Sequence, residues 1–450
     1  MPPACKLPNV ATPDPAERHL RARLHPVADE VPSPEPPWLA TLPHGQPGLS
    51  RVAALGQTAQ AAMRAGQARE CLAALDEQRA AAGGEPAALV WALTVSAVCR
   101  AILGQLTRSR ADLAEARQNC LYAAPLLAQP FWQFVEIVCN WLGGNWSAAS
   151  SDASALYADQ VAPITPALSG VILALRAELL RGLGLAKESR MLAERLPSTA
   201  PAELRVWARA GLDADDGHGA EALRDLADVY SASTRSMFRG ALPLVLHRMV
   251  TIAFGRGDRE VTASAAAALA ELDQAAPLIE ILTGLAQAYA AGDPEPARRS
   301  QHLAEAEGAA TLVAEALTVR GQVGDDPART LAAAHTAWER IGAPRRVAEV
   351  AAIMRGAGLA APAPAFPAAS VPATGPAVLT ARERSVAVLV HEGRTNQQIA
   401  HTLNISVKTV EAYLTRLYRK TSCSSRVELA VAVTERRLIV SGKDDAAGPA

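Results

Sequence analysis

Between residues 49 and 356 apolar side chains recur at helical spacing, in Ala/Leu-rich stretches separated by short polar breaks centred on glycine. Gly66, Gly104, Gly144, Gly184, Gly217, Gly257, Gly292 and Gly324 mark these breaks, at intervals of 38, 40, 40, 33, 40, 35 and 32 residues. That interval predicts stacked helical hairpins, in which each pair of helices buries its apolar face only against its neighbours. In Leu-Gly-Gly-Asn-Trp-Ser-Ala-Ala at 142–149 and Tyr-Ala-Ala-Gly-Asp-Pro-Glu-Pro-Ala at 289–297, one helix stops at glycine and the next starts within a few residues. Alanine stands where the two must approach closely. The expected fold class is all-α. Arrays of this kind usually bind peptides or proteins on a concave face, and the sequence names no ligand for this one.

The pattern changes on either side of the array. Residues 1–48 hold 12 of the 31 prolines and no periodic apolar pattern, which predicts a disordered lead-in. Residues 357–378 read as a Pro/Ala linker, and 441–450 as a flexible tail. Between them, 379–440 carries four short apolar runs, each opened by a capping residue. Thr380 with Glu383, Thr395 with Gln398, and Ser425 with Glu428 have the spacing of a capping box, and Ser406 is a fourth N-cap. Gly393 ends the first helix, and Asn404 sits in the short turn before the third.

The second and third of these helices, roughly 396–403 and 407–420, are joined by a turn of two residues, Asn404 and Ile405. Ile399, Leu403, Ile405, Val410, Leu414 and Leu417 can form one small core between them, with Ala400 allowing close approach. A short-turn pair of this kind is a helix-turn-helix, whose second helix enters the DNA major groove. With Val410, Leu414 and Leu417 turned inward, Lys408, Glu411, Ala412, Thr415 and Arg419 form the opposite face, which is polar and narrow enough to read base edges.

Composition sharpens this picture. The 450 residues carry 44 Lys+Arg against 45 Asp+Glu, but 379–440 holds ten basic residues against five glutamates, so a basic segment is joined to a mildly acidic remainder. Only Lys6, Lys187, Lys408, Lys420 and Lys443 are lysines, and none lies between a glycine and a Ser or Thr, so no phosphate-binding loop of the ATPase type is present. The six cysteines show no C-x-x-C spacing and read as reduced, buried thiols. No histidine pair has metal-ligand spacing, and neither a metal nor another cofactor is expected. No secretory leader is evident, and the one uncharged stretch long enough to span a membrane, 356–381, holds five prolines. The expectation is a cytoplasmic protein that is neither an enzyme nor membrane-bound.

The segment Leu-Thr-Ala-Arg-Glu-Arg at 379–384, Gly-Arg-Thr-Asn-Gln-Gln-Ile-Ala at 393–400, Leu-Asn-Ile-Ser-Val-Lys-Thr-Val at 403–410 and the terminal Ser425-Arg426 resemble the LuxR-type DNA-binding domain, in order and separation. The resemblance implies that Glu411, Ala412 and Thr415 face bases, while Lys408, Thr409, Arg416, Arg419, Lys420 and Arg426 hold phosphates. Glu411 could accept from cytosine N4. Three positions depart from the family pattern: Gln398, Tyr413, which is expected to pack, and Thr421. Arg382, Arg384 and Arg394 are as well explained as a solvated face. The array itself resembles degenerate tetratricopeptide repeats. Its Gly-Asn-Trp-Ser-Ala turn at 144–148 and its closing Ala-Trp-Glu-Arg-Ile-Gly-Ala-Pro-Arg-Arg-Val-Ala at 337–348 are similar to the helical segment of large ATP-binding LuxR-type regulators of actinobacteria, here without their ATPase.

The last helix is apolar over more than one face, and Val427, Ala430 and Val431 are expected to form a two-fold dimer surface for reading two half-sites. The reading is a transcriptional regulator whose repeats sense a protein or small-molecule effector. Its rivals are a repeat scaffold with a vestigial DNA domain and, by family analogy only, an ATP-driven switch.

Overall fold

The computed structural model describes residues 47–83, 85–120, 128–158, 166–198, 200–233, 239–360, 381–391 and 394–403, together with 409, 410, 413, 414, 417 and 429. Among these residues there are 19 helices and no strand. The first sixteen pair as hairpins: α1 (Pro47–Arg64) with α2 (Ala68–Ala82), α3 (Pro86–Ile102) with α4 (Leu106–Asn119), α5 (Gln129–Leu142) with α6 (Trp146–Ala158), and α7 (Pro166–Gly182) with α8 (Ala186–Glu194). There follow α9 (Ala202–Asp215) with α10 (Gly219–Ser233), α11 (Leu242–Gly255) with α12 (Arg259–Ala270), α13 (Pro277–Ala291) with α14 (Glu295–Ala306), and α15 (Ala310–Gln322) with α16 (Pro327–Ile341). A single helix, α17 (Pro344–Gly356), closes the array. The array starts at Pro47, just inside the expected lead-in. Proline suits a first helical turn, because its missing N–H would have found no intrahelical partner there.

All eight glycines of the regular series sit in the turn inside a hairpin, and all have positive φ. At Gly104, the glycine N–H donates to the Ala101 carbonyl and the Gln105 N–H reaches back to that of Arg100, at 3.1 and 2.9 Å. The same two bonds recur around Gly257. This C-terminal cap satisfies carbonyls that the helix end leaves open, and it needs a left-handed residue. After the turn the second helix is tied to the first by a hydroxyl: Ser109 donates to the Ala97 carbonyl at 2.7 Å and Ser189 to that of Ala177 at 2.6 Å.

The first helix of each pair forms the inner wall. In α3 nearly every position from Leu93 to Ala101 is buried, whereas α4 buries only Leu106, Ser109, Asp112, Leu113 and Ala116. The reason is a tight superhelix in which each pair meets the pair five places on. The Arg239 N–H before α11 donates to the Arg64 carbonyl at the end of α1. The Leu278 N–H of α13 donates to the Leu103 carbonyl after α3 at 3.1 Å. Thr311 of α15 donates to the Trp141 carbonyl of α5 at 2.6 Å. Pro344 of α17 packs on the turn after α7, where a Cβ on Gly184 would lie 3.7 Å from its ring.

This closure gives the glycines of the first three turns a second duty. A Cβ on Gly104 would stand 2.7 Å from the Leu278 nitrogen, and one on Gly144 3.1 Å from Ala310 and Ile341. At Gly217, Gly257, Gly292 and Gly324, in the last four turns, an added Cβ would meet nothing within 4 Å among the described residues.

Candidate nucleic-acid interface

Two further helices, α18 (Ala381–His391) and α19 (Asn396–Leu403), lie after the array in sequence. The start of α19 is fixed by a reciprocal pair of bonds: the Thr395 N–H donates to Gln398 Oε1 at 2.9 Å, and the Gln398 N–H donates to Thr395 Oγ1 at 3.3 Å. Glutamine therefore makes here the contact that glutamate makes in the usual capping box.

α18 and α19 pack on a compact apolar core of Val386, Ala387, Val390, Ile399, Ala400, Val410, Leu414, Leu417 and Leu429, with Leu389, Leu403 and Tyr413 partly buried against it. Ile399, Val410, Leu417 and Leu429 are fully buried. Val410, Leu414 and Leu417 stand four and then three positions apart, the spacing of one helical stripe, and all three are buried in the core. Thr409 is half-buried. Tyr413 is partly buried against the core, as expected of a packing residue.

Thr409 is therefore described, Glu383 lies in α18, and Thr395 and Gln398 open α19. Lys408, Glu411, Ala412, Thr415, Arg416, Arg419, Lys420 and Arg426 lie outside the described residues, as do Thr380, Ser406, Ser425, Val427, Glu428, Ala430 and Val431. Gly393, Asn404 and Ile405 lie outside them too, with the lead-in 1–46 and the segments 361–380 and 430–450.

Residues 377–433 match the family model described as bacterial regulatory proteins, luxR family. The carboxy-terminal segment is a LuxR-family helix-turn-helix domain. It is 50% identical over 60 residues to "Probable transcriptional regulator ycf29" of Cyanophora paradoxa, which is 13% of this chain and 29% of that protein. It is also 44% identical over 54 residues to the "Monoamine regulon transcriptional regulator" of Klebsiella aerogenes, 12% of this chain and 24% of the other. With a Mycobacterium bovis protein named as an HTH-type transcriptional regulator it shares 47% identity over 58 residues, 13% of this chain and 7% of that protein. The chain thus spans less than a third of the length of these relatives. No solved structure matches the chain.

The array holds a second concentration of polar groups that the sequence did not reveal. Glu178, Arg181, His247, Arg248, Glu315 and Arg346 come from four different inner helices and meet in its interior. Glu178 accepts from Arg181 at 2.6 Å and from Arg248 at 2.8 Å, and Arg346 pairs with Glu315 and Glu349. Burial opposes the charge on Glu178, but Arg181 and Arg248 outweigh it and hold its carboxyl at about 2. Burial also pushes the His247 imidazole down to about 4, with Glu315 only partly offsetting it, so the ring is neutral at pH 7. The six residues share no local spacing, and the only signal of them is charge on helices that are otherwise apolar.

Proposed function

We propose that this chain is a sequence-specific DNA-binding transcriptional regulator that reads the major groove with the helix 407–420 and receives its signal through the repeat array. The observation that carries this reading is the match of 377–433 to the luxR family model over a segment whose Val410, Leu414 and Leu417 face a common core with α18 and α19. An inward stripe of that register leaves Glu411, Ala412 and Thr415 for bases, and Lys408, Thr409, Arg416, Arg419, Lys420 and Arg426 for phosphates. The relatives, both named as transcriptional regulators, support the same reading.

The domain organisation proposed is a lead-in to residue 48, repeats over 49–356, a linker over 357–378, the reader over 379–440 and a tail. The chain works in the cytoplasm, where its DNA is, and binds as a homodimer through Val427, Ala430 and Val431. Among the described residues no helix is long and apolar enough to cross a membrane.

The test is a mobility-shift titration on DNA recovered by genome-wide mapping. Five excess positive charges over 379–440 imply a log–log salt slope near about −4 to −5 per protomer. Lys408→Glu combined with Arg426→Glu is expected to abolish both binding and the cellular effect. A variant that loses DNA but keeps its cellular effect would show a protein scaffold instead, and a wild-type segment 370–450 without DNA affinity at low salt would refute the reading.

A further inference from the structure

Because the superhelix closes on itself, its concave side is an interior, and the inner helices leave two adjoining chambers there. One, of about 120 Å³, has apolar walls that include Phe134, Val138, Val171, Leu175 and Leu204. The other, of about 110 Å³, is lined by the charged group around Glu178 together with Trp146, Trp207 and Trp338. Trp141, Leu142, Leu244 and Leu278 line both, so the apolar space borders directly on the charged one.

Three observations narrow what the pair of chambers would accept. The apolar chamber approaches in size the cavity of roughly 150 Å³ that takes up benzene, so it suits one ring or a short branched chain. In the polar chamber Arg181, Arg248 and Arg346 face Glu178 and Glu315, with Asp215 behind Arg181, Glu349 behind Arg346 and His247 neutral. The counter-charge is unevenly shared, and of the three arginines Arg248 is the least neutralised. Arg181 has Asp215 at 3.1 Å besides Glu178, and Arg346 has two carboxylates, but among the described residues the only ion pair of Arg248 is its share of Glu178. Burial lowers the proton affinity of Arg248, and the attraction of Glu178, itself countered by the repulsion of Arg181, does not fully offset it. The guanidinium is held in place over the Trp207 ring, 5.1 Å from its centre. Nearby, Nε2 of His247 is buried and has no hydrogen-bond partner among the described residues.

We propose that the array binds a small amphipathic monocarboxylate, its apolar body in the chamber of Val171 and Leu175 and its carboxylate on Arg248, with His247 Nε2–H as a second donor. The anion would supply the counter-charge that Arg248 lacks and the partner that His247 lacks, and neither needs a new side-chain ion pair. That such a molecule acts as the regulatory signal rests on the regulator reading above; that it binds does not.

The test uses the whole chain and three probes of one shape: 4-phenylbutyrate, its amide and 4-phenylbutylamine. Titration calorimetry and the fluorescence of the chamber tryptophans are expected to show saturable binding of the carboxylate, with amide and amine weaker by at least about tenfold, the range of a lost charged hydrogen bond. Arg248→Met, which leaves Glu178 with Arg181, should weaken the carboxylate by a similar factor and bring it level with the amide. Val171→Phe fills the apolar chamber and should remove binding of all three while the melting temperature is kept. Should that variant melt early, Arg248→Met and the three-probe ranking decide the matter alone. No saturable binding of 4-phenylbutyrate, equal binding of the amine, or unchanged binding in Arg248→Met would each overturn the proposal. A mobility shift on the same sample separates the two readings: carboxylate binding without DNA binding refutes the regulator and leaves the site standing.

Discussion

The indole N–H of Trp146 donates to the hydroxyl of Thr311 at 2.9 Å, although the two residues are 165 positions apart. Thr311 in turn donates to the Trp141 carbonyl at 2.6 Å, which also receives the Trp146 N–H at 3.0 Å. Thr311→Val keeps the shape and removes the hydroxyl, while Trp146 and the carbonyl still have each other. A loss of about 1 to 2 kcal/mol is expected. Urea unfolding followed by tryptophan fluorescence measures it, and an unchanged midpoint would show that the closure contact contributes nothing.

Gly104 and Gly257 have the same backbone role and different surroundings. Gly257→Ala has only the left-handed conformation to overcome, a cost of about 1 to 2 kcal/mol. Gly104→Ala adds a Cβ 2.7 Å from the Leu278 nitrogen, which is backbone and cannot swing aside. It should cost at least about 2 kcal/mol more than Gly257→Ala, through loss of the Leu278–Leu103 bond as well as overlap. Equal melting temperatures for the two variants would contradict the five-pair closure.

Acid should weaken the array in two stages. The folded values of His247, about 4, and Glu178, about 2, both lie below the ordinary values of 6.5 and 4.5. The unfolded chain therefore takes up each proton first as the pH falls. Stability is present above the ordinary value and is lost on acidification, between about pH 6.5 and 4 for His247 and between about 4.5 and 2 for Glu178. The first stage is expected to amount to about 3 kcal/mol. Urea midpoints at several pH values should show a flatter profile over that window in His247→Gln than in the parent chain.

Thr395→Ala removes the hydroxyl that caps α19 and should cost that domain about 1 kcal/mol, while Thr395→Ser should be nearly neutral. Hydrogen exchange distinguishes this from a general effect. Amides of 396–403 should exchange faster in the alanine variant, and those of the array should not change.

Leu429 is fully buried in the core of the reader. In the helix expected from Arg426 to about Leu438, a period of 3.6 residues would set Val427 and Val431 about 160° from Leu429, and we propose them for the dimer surface on that ground. Val431→Asp is expected to convert dimer to monomer in sedimentation and to reduce operator affinity, with the melting temperature of the domain unchanged. A wild-type monomer on DNA would defeat the dimer reading.

Much of the fold was legible because its signals are local. Each glycine of the series had to be left-handed, and the short motifs around Trp146 and Trp338, singled out separately in the sequence, turn out to stack edge-on with ring centres 5.6 Å apart. The reader was legible for the same reason, since the Thr395 and Gln398 cap and the spacing of Val410, Leu414 and Leu417 lie within a few turns. What could not be read was the closure. Nothing near Leu103 announces Leu278, and Glu178, His247, Glu315 and Arg346 acquire meaning only when four helices converge. Arrays of this kind usually bind peptides or proteins on a concave face, and here the fold turns that face inward.

Repeat arrays are commonly treated as stacks in which each unit touches only the next, so that units can be added, removed or frayed singly. The five-pair period rules out that behaviour here. Deleting one hairpin would shift every later unit out of register with its distant partner, and the first pair cannot fray without freeing the sixth. The array should therefore unfold in a single transition, with contacts of long sequence separation that make its folding slow. A chain composed like a modular repeat protein is thereby subject to the evolutionary constraints of a globular one, able to change the residues of its hairpins far more easily than their number.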